Sequence, residues 1–125
     1  MMFEQDYILR QIEEFIAVLM KMFFGREIDT QKAASQAEHD GDAEKLRQMI
    51  DCGNIREAES ALYNSMKAKT ASNLLKGYCF YQYLAQKDDD FLETHSYSRV
   101  MLTDGLRRLA SVFGAPHLAD IFYPV

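Results

Sequence analysis

The sequence predicts an all-α fold, an antiparallel helical bundle or short stack of about five to six helices. Three observations carry that expectation. Apolar residues recur with helical period in several separate segments. Gly, Asp, Asn and Ser fall at the ends of those segments, where helices stop and start. No segment alternates apolar and polar residues between hairpin turns, as strands would. The 125 residues fit a single domain over 1–125, long enough for a core without disulfide or metal staples.

Residues 1–25 form the first, amphipathic helix. Ile8, Ile12, Phe15, Ile16, Leu19 and Phe23 share one face, and Asp6, Arg10, Glu13, Glu14 and Lys21 face away. Arg10 has Asp6 one turn before it and Glu14 one turn after, which gives weak surface pairs. From Phe15 to Phe24 the only charge is Lys21, so the polar face fades halfway along. Gly25 supplies the left-handed stop. Residues 26–41 form a polar connector whose apolar residues are small: Ala33, Ala34 and Ala37. Propensity favours a short helix over 30–39. Gly41 is expected to close it and Asp42 to cap the next.

Residues 42–114 form helical hairpins. Ala43, Leu46, Met49 and Ile50 make one stripe, which Gly53 ends. Asn54 is expected to cap the next helix, with Glu57 reaching back as a capping box. The buried stripe there is Ile55, Ala58, Leu62 and Met66. Residues 72–87 are apolar around most of the helix circumference, which marks that helix as central. Asp90 and Glu93 repeat the capping-box spacing for a turn over 91–95. Ser98 should cap the last long helix, with Tyr97 and Leu102 as a hydrophobic staple. Leu102, Leu106, Leu109 and Phe113 then run to Gly114. Gly105 inside that helix marks either a close approach or a kink. Pro116 starts a short turn in the apolar tail, 115–125.

The formal charge is −5, and Arg107-Arg108 is the only adjacent basic pair. That argues against a nucleic-acid binder, which needs clustered cations. Cys52 and Cys79 belong to no C-x-x-C motif and are expected as buried thiols. The acidic start is unlike an export signal, and the apolar run is too short to span a bilayer, so the expected location is the cytoplasm. Glu38-His39-Asp40 is a poor metal cluster, because neighbouring helical residues point apart. Glu93 and His95 beside Asp88-Asp89-Asp90 lack the glycine and acid spacing of a calcium loop. Serine-nucleophile and phosphate-loop motifs are absent. Tyr78, Tyr81 and Tyr83 lack flanking cations and are better explained as core than as a base-stacking platform.

The sequence therefore implicates no catalytic, metal or cofactor-binding residue, and the expected function is a non-enzymatic interaction or assembly module without cofactors. Phe15, Leu19, Phe23, Phe24, Ile121 and Phe122 are the candidate interaction residues. They would serve a protein partner or self-association as a homodimer. For the first helix the alternatives are plain core and attachment to a membrane surface. The alternative function is a small-molecule- or metal-binding protein with a pocket lined by the 72–87 helix.

Two stretches resemble known families. Gly53-Asn54-Ile55-Arg56-Glu57-Ala58 resembles the turn of a tetratricopeptide-repeat hairpin, in which a small residue lets paired helices approach. The preceding helix lacks that family's Trp and Leu-Gly, and no copy recurs about 34 residues on. Phe3-Glu4-Gln5-Asp6-Tyr7-Ile8, Arg10-Gln11-Ile12-Glu13, Phe24-Gly25-Arg26, His95-Ser96-Tyr97-Ser98-Arg99 and Gly105-Leu106 are similar to a small uncharacterised helical family of anaerobic Gram-positive bacteria. That resemblance implies a domain of unknown function and transfers no site residue.

Overall fold

The periodic apolar segments become helices in the computed structural model, which describes residues 2–38 and 40–123. In chain order these are α1 (Met2–Phe24), α2 (Thr30–Glu38), α3 (Gly41–Asp51), α4 (Ile55–Ser65), α5 (Ala71–Ala85), α6 (Asp89–Thr94), α7 (Arg99–Val112) and α8 (Pro116–Phe122). No strand occurs among the described residues, so the fold is all-α. The two helices beyond the expected number, α6 and α8, are the segments the sequence presents as single turns. Among the described residues no helix is long and apolar enough to cross a membrane.

The axis of the bundle is α5, as its apolar circumference requires. It packs against α1, α2, α3 and α7, while α3 and α4 pair as a hairpin and α8 folds back over α7 and α1. Leu74, Tyr78, Phe80, Tyr81, Leu84 and Ala85 of α5 are all buried in one continuous core. The α2 helix of the polar segment contributes buried Ala33, whose carbonyl accepts a hydrogen bond from the Cys79 thiol at 3.7 Å. Cys79 is half-buried, and desolvation pushes its thiol up. Cys52 is exposed, contrary to expectation: it is the C-cap of α3, off the Leu46–Ile50 face.

Helix ends differ from the sequence expectation in four places, each for a local reason. Asp40 rather than Asp42 caps α3. Its backbone is extended and its carboxylate accepts from the Asp42 N–H at 3.0 Å. Asp88 rather than Asp90 caps α6, accepting from the Phe91 N–H at 2.7 Å. In both acidic runs the first aspartate caps and the later ones enter the first turn, where the helix dipole favours them. Asn54 makes no side-chain cap. Its N–H donates to the Met49 carbonyl while the Gly53 N–H donates to Ile50, which closes a Schellman turn at the end of α3. Thr70 caps α5, accepting from the Asn73 N–H at 3.1 Å, so that helix starts earlier than Ser72. Ser98 caps α7 as expected, with Tyr97 and Leu102 both buried.

The same Schellman pattern closes α6, but its left-handed residue is Ser96 at φ 59°. An L-residue there costs roughly 1 kcal/mol relative to glycine. Ser96→Gly should therefore raise stability by about 0.5–1 kcal/mol. Chemical denaturation checks this; an unchanged or lower midpoint would refute it. Arg99 reinforces the adjoining helix end. Its guanidinium donates to the Ala85 and Lys87 carbonyls at 3.2 and 2.9 Å and pairs with Asp89 at 3.0 Å.

Candidate interaction surface

The α1 helix has two differently used faces. Ile12, Phe15, Ile16 and Leu19 are wholly buried, and Met20 nearly so. Phe15 lies under α8, with the rings of Phe122 and Tyr123 at 5.3 and 5.2 Å. Phe24 is half-buried against Phe113, and Phe23 is 42% exposed at the helix end. Of the six sequence-predicted interaction residues, then, Phe15 and Leu19 are spent on the core. Phe24 and Phe122 are half-buried, and Phe23 and Ile121 reach solvent.

The outward apolar residues of α1 lie on a different line. Tyr7 is 66% exposed, Val18 36% and Met22 60%. With Gln11 and Glu14 they are spaced by three or four residues and so share one stripe. Ile121 of α8 is 75% exposed beside the first part of this stripe. Between them lies a shallow cavity of about 310 Å³ walled by Tyr7, Arg10, Gln11, Glu14, Ile121 and Phe122. Gln11 fixes the two helices there, donating to the Phe122 carbonyl at 3.0 Å. The sequence signal for this ridge was the fading polar face after Phe15.

A larger open cleft, of about 570 Å³, lies between the segment after α1, α2, α3 and the start of α5. Ile28, Ala33, Leu75 and Cys79 supply apolar lining, and Arg26, Lys32 and Lys76 stand around it. Its acids already have structural roles. Asp29 accepts from the Lys32 N–H at 3.0 Å, Asp40 caps α3, and Glu27 pairs with Lys21 at 3.4 Å. Glu93 and His95 are not part of it; the His95 ring packs tilted against Phe91, centroids 4.6 Å apart. His39 lies outside the described residues, and among those described no three His, Cys, Asp or Glu side chains are grouped to hold a metal ion.

A buried polar junction joins α4, α5 and α7. The Tyr81 side chain is fully enclosed, and its hydroxyl donates to Glu59 Oε2 at 2.8 Å. The same hydroxyl lies 3.0 Å from the Tyr63 hydroxyl, which donates to the Gly105 carbonyl at 2.9 Å. The Arg108 guanidinium sits 4.0 Å over the Tyr63 ring. Desolvation pushes Glu59 above the usual carboxylate range, although Tyr81, Tyr97 and two arginines oppose it. Burial likewise pushes Tyr63 up to about 12 and Tyr81 far above its ordinary value. Gly105 makes the junction possible: a Cβ there would lie 2.5 Å from the Tyr81 hydroxyl and 2.8 Å from Glu59 Oε2. Gly105→Ala should destabilise by about 1–3 kcal/mol through overpacking, despite its better helix propensity. Thermal denaturation checks this, and a stabilised variant would contradict it.

A family model described as a family of unknown function (DUF6483) matches residues 2–114. The chain belongs to that family. This agrees with the domain of unknown function that the sequence resembles. No curated protein and no solved structure matches the chain. The DUF6483 match takes in α1 to α7, including Phe15, Leu19, Phe23, Phe24 and the whole Glu59 junction. It stops at Gly114, so α8, with Ile121 and Phe122, lies beyond it. The ridge thus combines a DUF6483 helix with a helix outside the matched segment.

Proposed function

We propose that this DUF6483 protein is a non-catalytic protein-interaction or assembly module that engages its partner along the α1–α8 ridge. The observation that carries this reading is the line of exposed apolar side chains, Tyr7, Val18, Met22 and Ile121, on helices whose other apolar faces are packed. Single exposed apolar residues are ordinary. A line of them along one helix, continued by a second helix, resembles an interface core. Arg10, Gln11 and Glu14 between them would form the polar part of such a contact. A second copy of the chain and a different protein are the two partner types.

Light scattering over a concentration series tests the self-association arm. The wild type should move toward dimer mass with concentration, and a Tyr7→Glu/Ile121→Glu variant should remain monomeric with an unchanged melting temperature. A wild type that stays monomeric to high concentration removes that arm. A second reading, binding of a small molecule, is favoured by the 570 Å³ cleft, which α5 lines with Leu75, Lys76 and Cys79. On that reading a metabolite screen raises the melting temperature and slows alkylation of Cys79. No stabilising compound would leave the interaction reading alone.

A further inference from the structure

The Glu59 junction has more oxygen–oxygen contacts than tyrosine protons to fill them. Its oxygens form a row: Glu59 Oε2, the Tyr81 hydroxyl, the Tyr63 hydroxyl and the Gly105 carbonyl. The successive separations are 2.8, 3.0 and 2.9 Å, all hydrogen-bond distances. Each contact needs one proton, and each tyrosine brings one. If Tyr63 donates to Gly105 and Tyr81 donates to an ionised Glu59, the two hydroxyl oxygens face each other with no proton between them. If Glu59 is protonated, it donates to Tyr81, Tyr81 donates to Tyr63 and Tyr63 donates to Gly105. Every contact is then filled, all in one direction.

We propose that Glu59 is a proton-operated latch: its carboxyl proton completes this row and ties α4, α5 and α7 together, and ionisation loosens the junction. The groups facing Glu59 divide into two sets. Arg56 of α4 and Arg108 of α7 favour the ionised carboxylate, as do the Tyr81 hydroxyl at 2.8 Å and the nearby polar hydroxyl of Tyr97, the residue before the α7 cap. The Tyr97 hydroxyl is buried without a formed hydrogen bond, and Asp104 of α7 acts on Tyr97. Burial and the missing proton favour the neutral acid. Gly105 leaves room for this row and for nothing larger.

The sign of the pH dependence follows. In an unfolded chain Glu59 titrates near 4.5. With a folded midpoint above that, the native state holds more protons between the two values, so stability falls as pH rises through this window. In wild type, carbon-13 NMR of the Glu59 carboxyl should show a midpoint above 4.5. Tyr63→Phe distinguishes proton shortage from burial. It leaves one contact and one proton, so the midpoint should move down toward the ordinary value. In Glu59→Gln the amide N–H replaces the carboxyl proton, and the fall of melting temperature through the window should vanish. A wild-type midpoint at or below 4.5, or one that Tyr63→Phe leaves unchanged, would overturn the latch. So would a Glu59→Gln variant with the wild-type pH slope.

Discussion

Phe15→Ala should lower the unfolding free energy by about 3–5 kcal/mol. It should also loosen α8 where it crosses α1. The Phe15 side chain is completely buried and forms the seat for the Phe122 and Tyr123 rings. Besides that seat, α8 packs along α7 and is tied down by Gln11 to the Phe122 carbonyl and by Arg107 to Asp120 at 3.2 Å. The latter pair is largely solvated at Asp120 and contributes little. A seven-residue helix has no stability of its own in water. Chemical denaturation should therefore show the large loss, and hydrogen exchange should show amides of α8 exchanging far faster than those of α5. A loss below about 1 kcal/mol, typical of an exposed site, would contradict the packing described.

The second large effect is at the turn between α3 and α4. Gly53→Ala should destabilise by about 2–4 kcal/mol, from backbone strain and steric displacement together. Gly53 has φ 86°, a left-handed backbone that L-residues rarely adopt. An added Cβ would lie 2.2 Å from His95 Nδ1, so the ring that packs against Phe91 must move. Adding His95→Ala to Gly53→Ala removes the steric part and leaves the backbone part. The double variant should then lose less than the sum of the single changes, a coupling read from a double-mutant cycle. Strict additivity would show that the His95 ring is not the obstacle.

These two sites show what the sequence made legible. The stripe containing Ile12, Phe15, Ile16 and Leu19 was readable because helical period alone assigns a face. Gly53 was readable as a stop because only a glycine closes that turn cheaply. Cap identity was less legible, since Asp40 and Asp42, or Asp88 and Asp90, are chemically equal, and backbone geometry selects between them. The interaction residues illustrate a deeper limit. Phe15 and Leu19 share a helix face with Ile12 and Ile16, and the core takes that whole face. Tyr7, Val18 and Met22 are left outside because they sit off the α5-facing stripe, which requires knowing which face meets α5. The Glu59 junction was hidden for a related cause. Glu59 and Tyr63 are one turn apart on α4, but Tyr81 and Gly105 join them only through the crossing of three helices. Gly105 was its one local sign, and it marks an approach of side chains rather than of another backbone.

The α1–α8 ridge as a binding surface is the central claim. Its most direct measurement is affinity capture from the native host, comparing the tagged wild type with the Tyr7→Glu/Ile121→Glu variant by quantitative mass spectrometry. A specific protein, or untagged copies of the chain itself, should be retained by the wild type and lost by the equally stable variant. Identical retained sets for the two proteins would contradict the account.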